Sequence, residues 1–162
     1  EIIDSLPALV HVVGVFVEPN IQEVEAVLKH VRLTLLQFHG SESAEFCNGF
    51  GIPFIKTLRM ADDVDPEMYA RSYPQARALL LDTYDSHRYG GTGSVFSWER
   101  GMQCQSSPVI IAGGAGNWKH LLDGLKNKNI NAVATANLLN FIGDGFKNAR
   151  SELLKKFDLP KW

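Results

Sequence analysis

The residues best suited to chemistry in this sequence are a lone aspartate behind an apolar run and a glycine-rich stretch shortly after it. Asp82 directly follows Leu79–Leu81, a run typical of a strand buried on both faces, and Gly90, Gly91 and Gly93 come soon afterwards. In parallel α/β proteins, active sites lie at the carboxyl edge of the sheet, where such a strand ends. A carboxylate there can donate or accept a proton, and a glycine-rich loop can close over a small ligand. The competing interpretation is that Asp82 only caps the turn after the strand.

Two other predicted strand ends carry polar side chains. Gln37 and His39 stand together at one of them, and Lys56 and Arg59 flank the end of the next strand along the chain. Histidine exchanges protons near neutral pH, although a strand-end histidine is more often a hydrogen-bonded structural group. A cation at a strand end can meet a substrate carboxylate or phosphate. For both Lys56 and Arg59, a solvated surface charge is the simpler expectation.

A phosphate site is indicated by glycines between a predicted strand and a predicted helix. Gly113 and Gly114 stand at such a turn, where backbone N–H groups and the helix N-terminus can meet an anion. The small residues Ala134, Thr135 and Ala136 follow the next strand and would let a second helix N-terminus approach. The sequence has neither the lysine of a P-loop nor a dinucleotide fingerprint here, which favours a mononucleotide-like or sugar phosphate. The alternatives are a tight turn at the glycines and simple helix packing at the small residues.

The two cysteines are not predicted to do chemistry. Cys47 falls within a helical pattern and is predicted to pack, whereas Cys104 lies in a polar stretch and receives no role. They are far apart and lack metal-ligand spacing, so no metal site is predicted. Free cysteines suit a reducing compartment, and the sequence therefore predicts a cytoplasmic protein.

The composition predicts one globular domain that spans residues 1–162. Hydrophobic residues make up 45% of the chain and charged residues 21%, with a net charge of −2. This balance argues against a nucleic-acid partner, which usually requires a basic surface. No apolar run reaches the ~20 residues of a membrane span, and the first residues lack the features of a signal peptide. We therefore expect neither a nucleic acid nor a membrane as partner.

Apolar runs alternate with helical patterns along the whole chain, in six strand–helix units. The predicted strands are 9–17, 33–38, 53–58, 78–81, 108–112 and 130–134. The predicted helices are 21–30, one starting at 41–45, one starting at 65–67, 97–100, 117–125 and 144–157. Alternating strands and helices predict a parallel sheet with right-handed crossovers. Both an open doubly wound sheet and a (β/α)8 barrel accept this order, and six units are two fewer than a barrel needs.

Several of these segments together resemble the phosphoribosylanthranilate isomerase family, (β/α)8-barrel enzymes of tryptophan biosynthesis. The matching segments are 12–17, 36–43, 52–56 and 80–98, and they keep the order and spacing of the family over about the first 100 residues. The resemblance implies that the first four strands here are the family's strands three to six. It therefore implies a (β/α)8 TIM-barrel type fold that lacks the first two βα units.

The resemblance also implies a reaction, the Amadori rearrangement of N-(5-phosphoribosyl)anthranilate. A general acid opens the furanose ring to a Schiff base, a general base removes the C2 proton, and no metal or organic cofactor is needed. The family's acid matches Asp82. Its base is a cysteine at the end of the first strand, which has no counterpart here. We therefore expect a phosphorylated ribose-type substrate, Gln37, His39, Arg59 and Gly91 in the pocket, and impaired turnover by this chain alone.

The last third of the chain looks more like the cyclase subunit of imidazole glycerol phosphate synthase, a related barrel. Both families bind the substrate phosphate with the loops that match Gly113, Gly114 and Ala134–Ala136. A cyclase-like enzyme is thus one alternative, although segment 53–58 lacks the catalytic aspartate of that family's fifth strand. The other alternative is a non-catalytic phosphate-binding fragment that pairs with a second copy or a complementing chain through exposed strand edges.

Overall fold

The fold is a six-stranded parallel sheet whose strands follow one another in chain order. The computed structural model describes residues 3–7, 9–61, 64–83, 98–113, 118–134, 151–152 and 154–155. The strands are β1 (Val13–Phe16), β2 (Leu35–Phe38), β3 (Phe54–Met60), β4 (Ala78–Thr83), β5 (Val109–Ala112) and β6 (Ala132–Ala134). The α-helices are α1 (Ile21–His30), α2 (Ala44–Asn48), α3 (Pro66–Ser72) and α4 (Trp118–Leu125), with short 3₁₀ helices at Ile3–Ser5 and Trp98–Gln103.

The strand order decides between the two architectures that the sequence left open. Each strand pairs in parallel with the next one, from β1 to β6. A doubly wound sheet reverses its strand order at a switch point, whereas a barrel adds each strand beside the preceding one. The sheet is therefore of the (β/α)8-barrel type, as the resemblance implied.

The helices begin where their capping residues predict. The Asn20 side chain accepts a hydrogen bond from the Glu23 N–H at 2.9 Å, and the Glu23 carboxylate accepts one from the Asn20 N–H at 2.8 Å. This reciprocal capping box starts α1 at the predicted residue. Ser43 caps α2, and Asp65 caps α3 with Pro66 in its first turn. Of the predicted final helix, residues 151–152 and 154–155 are helical, and its other residues lie outside the described part of the chain.

The strand boundaries differ from the predicted ones at both ends of the sheet and in its middle. The prediction of a strand from residue 9 was wrong, because the Val10 N–H closes a turn onto the Pro7 carbonyl and Leu9 is 97% exposed. In the middle, the β3–β4 ladder continues to the pair Met60 and Thr83. Asp82 therefore lies inside β4, one residue before the strand ends.

The two faces of the sheet are covered differently. The outer face packs against the helices through side chains that include Leu36, Leu58, Leu79 and Leu81. The inner face carries a smaller cluster of strand residues, among them Leu80 at 9% exposure. Leu79–Leu81 are thus buried on both faces, as predicted. Alternation along each strand places Asp82 on the inner face with Leu80.

The inner face is open on the side of β1. Val13 and Val15 pair in register with Leu35 and Gln37, yet they are 39% and 58% exposed. Within the described sheet, β1 and β6 each pair along one edge only. Among the described helices, none is long and apolar enough to cross a membrane.

Candidate active site

Polar side chains gather on the inner face at the carboxyl edge of β2, β3 and β4. Gln37 belongs to β2, Thr57 and Arg59 to β3, and Asp82 to β4, while His39 follows β2 directly. Arg59 and Asp82 are register partners across the β3–β4 ladder. Since parallel strands end at the same edge, residues far apart in the chain share one surface here.

His39 and Asp82 form the centre of this surface. The His39 Nε2 lies 3.2 Å from the Asp82 Oδ2, with the two side chains 13% and 9% exposed. The pair is close enough for an ionic contact, but Nε2 makes no hydrogen bond with any described residue. Catalytic contacts are often poorly aligned before a ligand binds. A nearly buried carboxylate beside an imidazole is a pair suited to proton transfer.

Gln37 orients the imidazole. Its Nε2 lies 3.3 Å from the His39 Nδ1 and 3.3 Å from the Thr57 Oγ1. An amide nitrogen donates and does not accept, so this contact matches the neutral tautomer of His39 that accepts at Nδ1 and carries its proton on Nε2. In that tautomer, the nitrogen that carries the proton is the one beside Asp82.

The two candidate phosphate loops start side by side. Gly113 follows β5, and Ala134 ends β6, the neighbouring strand in the ladder. Gly113 has φ 88°, in the left-handed region that glycine enters without a steric penalty. Gly114, Thr135 and Ala136 lie outside the described residues, as does Gly91, so their placement stays a prediction.

Lys56 is not the solvated surface charge that the sequence suggested. Its side chain is 0% exposed, and its Nζ lies 3.1 Å from a carboxylate oxygen of Glu42, whose side chain is 2% exposed. Glu42 precedes α2 and does not belong to its first turn. The alternation of Phe54, Lys56 and Leu58 along β3 was the available signal, because it assigns Lys56 to the face that the helices cover.

Both cysteines are core residues. Cys47 is fully buried in the outer cluster with Leu36 and Phe38, as predicted, and burial raises the pKa of its thiol to about 11. Cys104 is 2% exposed and packs in the outer cluster around Leu81, and burial raises its pKa too. In the described ranges, no group of three or more His, Cys, Asp or Glu side chains is arranged to hold a metal ion.

A parallel sheet wound in chain order defines a barrel-type α/β protein, and the acid–imidazole pair and the glycine turn form a candidate site at its carboxyl edge. A family model for N-(5'phosphoribosyl)anthranilate (PRA) isomerase matches residues 1–133. The chain belongs to this family.

Relatives and solved structures agree with that assignment. The chain is 46% identical over 114 residues to N-(5'-phosphoribosyl)anthranilate isomerase from Alcanivorax borkumensis, covering 70% of this chain and 52% of the relative. It is 44% identical over 113 residues to the Hahella chejuensis enzyme, covering 70% and 53%. The structure of phosphoribosyl anthranilate isomerase from Thermus thermophilus superposes with a TM-score of 0.80 at 25% identity, over 96% of this chain and 78% of that one.

These matches also bear on the extent of the chain and on its last third. The chain spans about half the length of the curated relatives it matches. The family match runs to residue 133 and thus includes Gly113 and Gly114, which belong to the part that looked cyclase-like. The comparisons lend no support to a separate cyclase-like part.

Proposed function

We propose that this chain carries the general-acid side of a phosphoribosylanthranilate isomerase site. In this reaction, Asp82 gives a proton to the furanose ring oxygen as the ring opens to a Schiff base. A base then takes the proton from C2, and the enol tautomerises to the ketone. The observation that carries the proposal is the nearly buried contact between Asp82 and His39 at the carboxyl edge of a family sheet.

His39 is proposed as the group that exchanges the proton of Asp82 between turnovers. Its Nε2 is 3.2 Å from the carboxylate, and Gln37 holds the ring by its other nitrogen. Arg59, opposite Asp82 in the ladder, is proposed to face the anionic substrate, and Gly91 to line the pocket. These groups supply acid–base chemistry and binding without a cofactor in the proposed mechanism.

The phosphate of the substrate is proposed to bind where β5 and β6 end. Gly113 and Gly114 would present N–H groups from one loop, and Ala134, Thr135 and Ala136 from the next. Support comes from the adjacency of the two strands and from the left-handed backbone of Gly113. A structural neighbour in this family was solved with reduced 1-(o-carboxyphenylamino)-1-deoxyribulose 5-phosphate, a phosphorylated ligand of the class proposed here.

No residue of this chain is proposed as the general base. Cys47 and Cys104 both pack in the outer core, on the opposite face of the sheet from Asp82. A missing general base typically lowers turnover by a factor of about 10² to 10⁴. We therefore propose that the chain by itself is a weak isomerase, acting in the cytoplasm, where buried thiols stay reduced.

A complementing role is the second candidate, favoured by the exposed valines of β1. Val13 and Val15 point their side chains to the inner face, where they are 39% and 58% exposed. Further βα units beside β1 would cover them and pair its open edge. These units can belong to a complementing polypeptide or to a second copy; the family member from Thermotoga maritima is described as dimeric.

The experiment compares the chain alone with a fusion that adds the first two βα units of the Alcanivorax borkumensis relative ahead of residue 1. Conversion of N-(5-phosphoribosyl)anthranilate is followed for both, and the reduced analogue is titrated into both. Asp82→Asn in the fusion should lower kcat by a factor of about 10² to 10⁴. Asp123→Asn, at an exposed carboxylate paired with Lys126, is the matched control and should leave kcat unchanged. A fully active Asp82→Asn fusion would refute the acid assignment, and a near-native rate for the chain alone would refute its proposed weakness.

A further inference from the structure

A buried ion pair behind His39 ties the loops after β1 and β2 to strand β3. Lys56 lies in β3, Glu42 follows β2, and Glu18 follows β1. The Glu42 carboxylate accepts from the Glu18 N–H at 2.9 Å and contacts the Lys56 Nζ at 3.1 Å. Since the Lys56 and Glu42 side chains are 0% and 2% exposed, water does not screen this contact.

The pair holds the peptide groups on both sides of His39. The Gly40 N–H donates to the two Glu42 carboxylate oxygens at 3.1 and 3.0 Å, and the Gly40 carbonyl accepts from Lys56 at 2.6 Å. Lys56 also donates to the Phe38 carbonyl at 3.4 Å. The backbone before and after His39 is thus bonded to charged groups, and charge-assisted bonds of this kind are the stronger ones.

The same network stabilises an unusual backbone in the first loop. Glu18 has φ 48°, which is uncommon for a residue other than glycine. Its N–H donates to the Glu42 carboxylate, and its own carboxylate accepts a hydrogen bond from the Ser41 N–H. The loop after β1 is therefore held to the loop after β2 from both sides.

Stability alone is a weak explanation for this pair. Replacing a buried ion pair by apolar residues of similar size is often neutral or stabilising, because desolvation offsets the attraction. An apolar pair cannot, however, bind the N–H and the carbonyl of Gly40. Tyr73 adds to the same assembly, since its hydroxyl donates to the Glu42 carbonyl at 2.8 Å and its ring centroid lies 5.5 Å from the Lys56 Nζ.

We infer that Lys56 and Glu42 are positioning residues that fix His39 in line with Asp82. They do not touch the reacting atoms, and they act through the Gly40 peptide. Their consequence for turnover rests on the proposed function, whereas their effect on the imidazole does not. A test can therefore read the imidazole directly.

The test records long-range ¹H–¹⁵N spectra of the His39 ring at pH 8 in the chain without substrate, assigned with His39→Gln. The unaltered chain should show one neutral tautomer, protonated at Nε2. Lys56→Met, Glu42→Gln and the double variant Lys56→Met/Glu42→Leu should move both ring nitrogens toward tautomer-averaged shifts. Lys126→Met, which breaks an exposed pair with Asp123, is the matched control and should leave the ring spectrum unchanged.

The double variant separates positioning from stability. Its urea midpoint should be closer to that of the unaltered chain than the midpoint of Lys56→Met is. Its His39 ring nitrogens should nevertheless still show tautomer-averaged shifts. A double variant with the original ring spectrum would overturn the inference. So would an unaltered chain that already shows mixed tautomers, a result that needs no variant to fold. If the ring responds as expected but the reduced analogue fails to bind the fusion protein, the proposed function fails and the positioning role stands.

Discussion

Gly40→Ala should destabilise this protein through a contact and not through backbone strain. A Cβ at residue 40 would lie 2.6 Å from the Glu18 Oε1 and 2.8 Å from the Glu42 Oε1. Glu18 can swing away because it is a flexible side chain. Glu42 cannot, because its carboxylate is buried and bonded to Lys56 and to the residue 40 N–H. The added methyl therefore displaces at least one charge-assisted hydrogen bond.

The size of the effect follows from the bond that is lost. Breaking a hydrogen bond to a charged group lowers the free energy of unfolding by about 1.5–3 kcal/mol, and leaving the charge partly unpaired lowers it further. We therefore expect Gly40→Ala to lower the free energy of unfolding by about 2–4 kcal/mol. With a urea m-value of about 2 kcal/mol/M, the midpoint should fall by about 1–2 M.

Two other glycines provide controls for the same substitution. Gly49 caps the C-terminus of α2 with φ −69°, and a Cβ there meets the Phe46 carbonyl at 3.3 Å and the Glu45 carbonyl at 3.9 Å. Gly49→Ala should therefore change stability by less than about 0.5 kcal/mol. Gly51 has φ 66° and open space around it. Gly51→Ala should therefore lower the free energy of unfolding by about 1 kcal/mol through backbone strain, without a steric contact. Equal urea midpoints for the Gly40 and Gly49 variants would refute the contact argument.

Two further measurements test local chemistry. The pKa of Glu67 is lowered to about 2, first by the Ser106 hydroxyl and then by the N–H groups of Gln105 and Ser106. Because its folded pKa lies below the ordinary value of 4.5, Glu67 stabilises the fold above pH 4.5 and loses this effect as the pH falls toward 2. Glu67→Gln should make the urea midpoint less dependent on pH between about pH 2 and 4.5, whereas Glu25→Gln on an exposed helix face should not. The same pH dependence for both variants would show that the hydrogen bonds of Glu67 do not contribute to it. Cys47, with its pKa raised to about 11, should resist iodoacetamide at pH 8 in the folded chain and react after urea unfolding, and rapid labelling without urea would show that its core opens.

The local rules predicted the parts of this fold that depend on neighbouring residues. The Asn20 and Glu23 capping box set the start of α1, and three leucines identified β4. The predicted start of the first strand at residue 9 was wrong because it depends on a distant part of the chain. Leu9 and Val10 are apolar, but a strand needs a partner, and in the described sheet the neighbouring strand begins only at Leu35.

The candidate site was predicted residue by residue but not as an arrangement. Asp82 and His39 were recognised as strand-end groups, and their 3.2 Å contact depends on the register of β2, β3 and β4. No single-sequence pattern encodes that register. Lys56 was misjudged because lysine is usually exposed, and its partner Glu42 lies 14 residues earlier, in another unit.

The strict chain order of the strands has a consequence for how this protein can be altered. Each βα unit meets the sheet only through the strand before it and the strand after it. We therefore expect that βα units can be added or exchanged beside β1 or β6 while the order of the other strands stays the same, as in repeat proteins with nearest-neighbour interfaces. The exposed side chains of Val13 and Val15 make β1 a site where such additions can be compared. In a library of fused βα pairs, the most stable fusions should be those that cover these two side chains best.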